Sequence, residues 1–274
     1  MSEPIADAAT DVPMVDTHAH IYVTSMPLAA TAWHRPPHDA SIEQYLGELD
    51  AHGVKYAVLA AATLYDDGNA YQIEALRRHK RLRGTVIAHP EMDRRTLNAM
   101  KADGVVGIRF QWRNVAKLPD LTAPEYRALL GHVADLDWHV QLHDDSPRLV
   151  RPLQVLAAAG VKVVVDHFGR PDQTQGVACE GFRAILRAVE NGRTWVKLAA
   201  GFRLASPSLA VASARELLKH AGPERLMWGS DWPFAAFEST MTYQSAIDHL
   251  ASWVPDPVAR RRVAGETAFN FYFS

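Results

Sequence analysis

Five residues concentrate most of the reactive chemistry in this sequence: His18 and His20 in VDTHAH, His143 in VQLHDD, His167 in VVDHFGRP and Asp231 in MWGSDWPF. Each closes a short apolar run that reads as a strand. Alternate residues of a strand share a face, so the spacing His-x-His turns both imidazoles the same way. Two imidazoles, a third from a distant strand and a carboxylate make a four-ligand nitrogen and oxygen set suited to Zn²⁺ or a similar divalent ion. A single His-x-His is a weak signal, but five such groups at strand ends are a much rarer arrangement.

These side chains meet only if the fold gathers strand ends on one face. Eight strand candidates run along the chain at 13–21, 54–63, 84–88, 105–111, 138–143, 161–167, 195–200 and 226–231, and helical patterns fill the gaps. That alternation predicts repeated βα units around a parallel sheet, and eight of them predict a single-domain (β/α)₈ TIM barrel, whose active site lies at the C-terminal strand ends. An open doubly wound sheet would carry a Gly-rich phosphate loop after its first strand, where this chain has DTHAHIY. Two helices are marked at both ends. One follows Ser41, with Gln44 three residues on and Gly53 as stop; the other starts at Ser146 and Pro147 and stops at Gly160. Weaker helical patterns lie near 69–80, 93–103, 124–136, 181–191, 208–221, 239–251 and 257–270. Residues 1–12 read as a flexible N-terminal segment and 13–274 as the barrel domain.

The composition, 48% apolar and 22% charged in 274 residues, suits one large core. A net charge of −2 with dispersed Lys and Arg argues against a nucleic-acid groove or an anionic membrane surface. Cys179 alone allows no intramolecular disulfide and no thiolate cluster, so a metal would fall to His and carboxylates. No apolar run reaches the ~18 residues of a spanning helix and no signal peptide is visible, so a cytoplasmic protein is expected.

The pieces VDTHAH, VVDHFGRP and MWGSDWPF, in order along nearly the whole chain, resemble the amidohydrolase superfamily. They are most similar to its branch of 2-pyrone-4,6-dicarboxylate hydrolases, muconolactone-type hydrolases and sugar-acid lactonases. The resemblance implies a single divalent metal on His18, His20, His143 and Asp231, with His167 assisting the attacking water. Some members of the branch work without metal and have a Tyr where His143 stands; the His here restores the metal-binding pattern. In either form Asp231 is the expected general base, and without metal the histidines would hydrogen-bond the carbonyl oxygen.

The implied substrate is a small acidic lactone, opened by the protein acting as a monomer or homo-oligomer. Arg109, near the end of the fourth strand, and Arg203, beyond the seventh, are the expected grips for its carboxylates. Thr63, Tyr22 and Trp33 on the following loops are expected to contact its ring, although only Thr63 remains where the pyrone hydrolases have a Ser and Thr pair. Alternatives are a sugar-acid lactonase, a metal-dependent non-oxidative decarboxylase, whose first-strand motif would carry an early Glu where this chain has Asp16-Thr17-His18, and a barrel retained only for binding. Arg113, Arg170 and the remaining histidines, His139 among them, read as structural or solvated.

Overall fold

The computed structural model describes residues 12–66 and 68–274. Its strands are β1 (Val15–Ala19), β2 (Tyr56–Leu59), β3 (Leu82–Val86), β4 (Val105–Gln111), β5 (His139–His143), β6 (Lys162–Val165), β7 (Thr194–Ala199) and β8 (Leu226–Gly229). They form one sheet in the order β1 to β8, each parallel to the next. The ends of the sheet meet where Asp231 N donates to His18 O (2.7 Å) and His20 N to Trp232 O (2.8 Å), so the eight strands form a nearly closed barrel. Strands buried on both faces need no polar alternation, which is why β6 reads Val163, Val164, Val165, all buried.

The helices are α1 (Ile42–Ala51), α2 (Gly68–Arg78), α3 (Arg94–Ala102), α4 (Pro124–Asp135), α5 (Ser146–Ala158), α6 (Glu180–Glu190), α7 (Pro207–Ala221), α8 (Tyr243–Trp253), α9 (Pro257–Arg261) and α10 (Thr267–Tyr272). The Ser41 capping box forms as expected, Ser41 accepting from Gln44 N and Gln44 bonding back. At α5 the cap is Asp145 rather than Ser146, whose hydroxyl turns to Cys179 Sγ, 3.3 Å away. The pattern read as one helix over 257–270 is two, α9 and α10, joined by a π turn over Arg262–Glu266. Gly265 sits in that turn, and a Cβ there would fall 2.3 Å from Pro13 O. Beneath the barrel Tyr272 and Ala268 of α10 pack on Val15, Val58 and Met227 and close the lower mouth.

The anticipated flexible segment lies, apart from Val12, outside the described residues. Among those described, no helix is long and apolar enough to cross a membrane.

Candidate active site

Strand β1 carries a structural carboxylate, Asp16, and the site histidine His18, with His20 just past its end, and its pairing with β2 shifts register between Asp16 and Ala19. Asp16 turns to the helical layer, where Oδ2 accepts from Tyr45 OH (2.9 Å), Tyr243 OH (2.9 Å) and Ser230 Oγ (2.6 Å). Its Oδ1 accepts from His18 N (3.1 Å) and Ser230 N (2.9 Å), tying the top of β1 to the turn after β8. Beyond that tie His18 and His20 reach the barrel mouth.

Two turns leave the strands in the left-handed region. His167 (φ 53°), Phe168 (φ 58°) and Arg170 (φ 44°) follow β6, and Asp231 (φ 66°) follows β8. Such backbone costs ~1–3 kcal/mol per non-glycine residue. It is held here by Gly169 N to Asp166 O and Arg170 N to His167 O, both 2.9 Å, and it swings His167 and Asp231 over the barrel axis.

Asp231 is the hub. Its Oδ1 faces His18 Nε2 (3.5 Å), His20 Nε2 (3.5 Å) and His167 Nε2 (3.8 Å), while Oδ2 accepts from Arg203 Nε (2.7 Å). Burial alone would raise its pKa, but the charge of Arg203 above all, helped by the imidazoles around it, holds it well below the ordinary carboxylate range. The imidazoles form an arc, with ring centroids 5.0 Å apart for His20 and His18, 4.7 Å for His18 and His167, and 4.9 Å for His167 and His143. Burial keeps His18 and His143 neutral, well below their usual pKa, and lowers His167 to about 4.

Two overlapping sets of ligand atoms lie within 4.8 Å: His18, His20 and Asp231, and His18, Asp166 and His167. The first fits a divalent ion. Bonds of ~2.0–2.2 Å place tetrahedral ligands ~3.4 Å apart, close to the 3.5 Å spacings on Asp231 Oδ1. His20 Nδ1 donates to Ala60 O (2.7 Å), which leaves Nε2 as the ring nitrogen that would ligate an ion shared with the Asp231 carboxylate. Neither ring nitrogen of His18 or His143 has a formed hydrogen bond. His143 belongs to neither set and stands one ring away, against His167.

His20, His167 and His143 of the arc floor a cleft of about 230 Å³. Tyr22, Thr63, Arg203 and Trp33 line it, with Trp33 at the lip and 42% exposed. Arg109 reaches its wall, yet the side chain is 2% exposed and the guanidinium is engaged by the protein. Nε and Nη2 donate to Asp166 Oδ2 (3.1 and 2.9 Å), and Nη1 to Ala61 O (2.6 Å) and Gln111 Oε1 (2.9 Å). Arg113, Asn114 and Arg170 line the cleft instead, Arg170 buried with Nε on Asp145 Oδ1 (2.8 Å). Asp166 and Lys197, both buried beneath the histidines, escaped the sequence reading. Their signals were present: Asp166 precedes His167 in the quoted motif, and Lys197 interrupts the apolar run WVKLAA.

A nearly closed (β/α)₈ barrel with a histidine and aspartate cluster over its C-terminal strand ends defines the class as a barrel of amidohydrolase type. The chain belongs to the Amidohydrolase family, whose model matches residues 15–273. It is 30% identical over 277 residues to a 2-pyrone-4,6-dicarboxylate hydrolase of Comamonas testosteroni, covering 94% of this chain and 90% of that one. To a 4-sulfomuconolactone hydrolase of Rhizobium radiobacter it is 26% identical over 257 residues, covering 90% and 86%. A probable 2-pyrone-4,6-dicarboxylic acid hydrolase of Acinetobacter baumannii, solved with citric acid bound, superposes with a TM-score of 0.90 at 28% identity, over 94% of this chain and 98% of that one.

Proposed function

We propose that this protein hydrolyses a small monocyclic lactone bearing carboxylate or similar anionic groups, as the names of its relatives describe for them. The observation that carries the reading is Asp231 Oδ1 under three imidazole nitrogens while Arg203 holds Oδ2, on the floor of an arginine-lined cleft.

Arg203 prevents the carboxylate from rotating, so Oδ1 stays aimed at the space where water attacks. Asp231 takes the water proton as the new C–O bond forms, then delivers it to the ring oxygen as the ester bond breaks. His167 and His143, neutral and with ring nitrogens lacking partners, are placed to donate hydrogen bonds to the carbonyl oxygen as it gains charge. A divalent ion on His18, His20 and Asp231 would, when bound, polarise that carbonyl and acidify water. Arg113, Arg170 and the Nη groups of Arg203 supply positive charge for the anionic substituents. Arg109, its donors engaged by Asp166, supports the site from below and is not assigned to the substrate.

The test is a pH-stat assay on 2-pyrone-4,6-dicarboxylate and on a carboxylated muconolactone, with one acid equivalent released per ring opened. Asp231→Asn should lower kcat by about 10³-fold or more. Turnover without acid release would instead mark decarboxylation, and a near-normal kcat in Asp231→Asn would remove the mechanism.

A further inference from the structure

Under the histidine arc lies a chain of buried polar groups from four strands or strand ends: Lys197 on β7, Gln141 on β5, Asp166 after β6 and Arg109 on β4, each 2% exposed or less. Lys197 Nζ donates to Thr17 O (2.5 Å) and to Gln141 Oε1 (3.1 Å). An ammonium only donates, so this contact fixes which end of the Gln141 amide faces it. Gln141 Nε2 is thereby turned to Asp166, 2.8 Å from Oδ1 and 3.1 Å from Oδ2. Arg109 occupies Oδ2, and Oδ1 stands 3.2 Å from His18 Nδ1. His18 is fully buried, and its other nitrogen faces Asp231.

We propose that Lys197 and Gln141 are positioning residues: acting through Asp166, they keep the His18 proton on Nδ1 and turn its Nε2 lone pair to the reaction centre. The neutral ring carries one proton, and a carboxylate lies on each side of it. Which side keeps the proton depends on whether Asp166 Oδ1 is held toward Nδ1. If Lys197 is lost, Gln141 Oε1 keeps only the long contact from Thr85 Oγ1 (3.4 Å), the amide loses its anchor, and Asp166 Oδ1 is no longer held against His18 Nδ1. Carboxylates that orient a histidine in this way are worth about 10–100-fold in metal affinity or activity.

The kinetic part of this inference rests on the hydrolytic reading, whereas the tautomer is read from the protein alone. Protein labelled with ¹⁵N-histidine and stripped of metal by a chelator is examined by long-range ¹H–¹⁵N correlation, with His18 assigned by its loss in His18→Gln. The expected wild-type signal is the Nδ1–H form. Lys197→Met should shift it toward the Nε2–H form and lower kcat of the untreated enzyme about 10–100-fold, with KM within about twofold. The signal of buried His139, whose Nδ1 bonds to Val106 O, should not move. Where Lys197→Met alone fails to fold, Lys197→Met with Gln141→Leu replaces both polar groups by apolar ones of similar size and carries the same expectation. A wild-type His18 protonated on Nε2, or a folded variant with an unmoved tautomer whatever its kcat, overturns the proposal. If the tautomer shifts as stated but no lactone is turned over, only the hydrolytic reading falls.

Discussion

Mild acid should unfold this protein in its metal-free form, and the buried histidines set the pH. His139 is lowered to about 3 and His167 to about 4, while His18 and His143 lie well below 6.5, in each case chiefly through burial. A histidine whose folded pKa is depressed contributes stability above its unfolded value of 6.5 and loses it as pH falls toward the folded value. At about pH 5.5 each such group favours the unfolded chain by somewhat over ~1 kcal/mol relative to neutral pH, and four of them together by roughly 5 kcal/mol. That matches the low end of the ~5–15 kcal/mol that domains possess.

Other titrations fall largely outside the window. Lys197, lowered by burial from 10.5 to about 8, loses its contribution as pH falls through that range and is constant below it. Asp166 and Asp231, held well below 3.8, lose theirs only in stronger acid. Asp16 and Asp144, raised by burial, run the opposite way and soften the fall at its acidic end. Urea unfolding followed by tryptophan fluorescence at about pH 7.5 and about pH 5.5, with chelator present, measures the difference. His139→Gln keeps a donor for Val106 O and should remove about a quarter of it. A change below about 1 kcal/mol between the two pH values would refute the neutral, buried state of these rings.

Two further predictions concern the tie between β1 and β8. Asp16→Ala strands five donors and should cost about 4 kcal/mol, whereas Asp16→Asn, whose oxygen can face the two N–H groups while the hydroxyls turn to accept, should cost about 1–2 kcal/mol, both read from urea midpoints. Gly229→Ala places a Cβ 2.6 Å from His18 Cβ and 2.9 Å from His18 N; displacing that ring should lower kcat at least about tenfold, and a kcat within twofold of wild type would show the strand yields.

Much of this was legible in the sequence because the local chemistry decides it. The eight strands follow from Val-rich runs between helical patterns, and the Ser41 cap from a hydroxyl three residues before Gln44. The start of α8 at Tyr243, not near 239, was hidden because the turn after Asp231 winds through Phe234 and Ala236 at positive φ before Thr242 caps the helix. The break between α9 and α10 was hidden for a related reason, since only the packed position of Gly265 against Pro13 reveals it.

Arg109 shows where strand-end reasoning needs one more step. The register of β4 on β5 pairs Gln111 with His143 and Arg109 with Gln141. At ~3.3 Å per residue, Arg109 therefore enters the barrel ~6–7 Å below the layer that holds the site histidine. A guanidinium rooted at that depth meets Asp166 beneath the histidines, while the arginines on the loops above line the cleft. Arg203 and Arg170 lie beyond their strands, and so does Arg113, two residues past the end of β4, whereas Arg109 lies within β4. The count of residues between a charged side chain and its strand's last ladder pair thus separates Arg109, which braces Asp166 beneath the histidines, from the arginines that stand around the cleft above them.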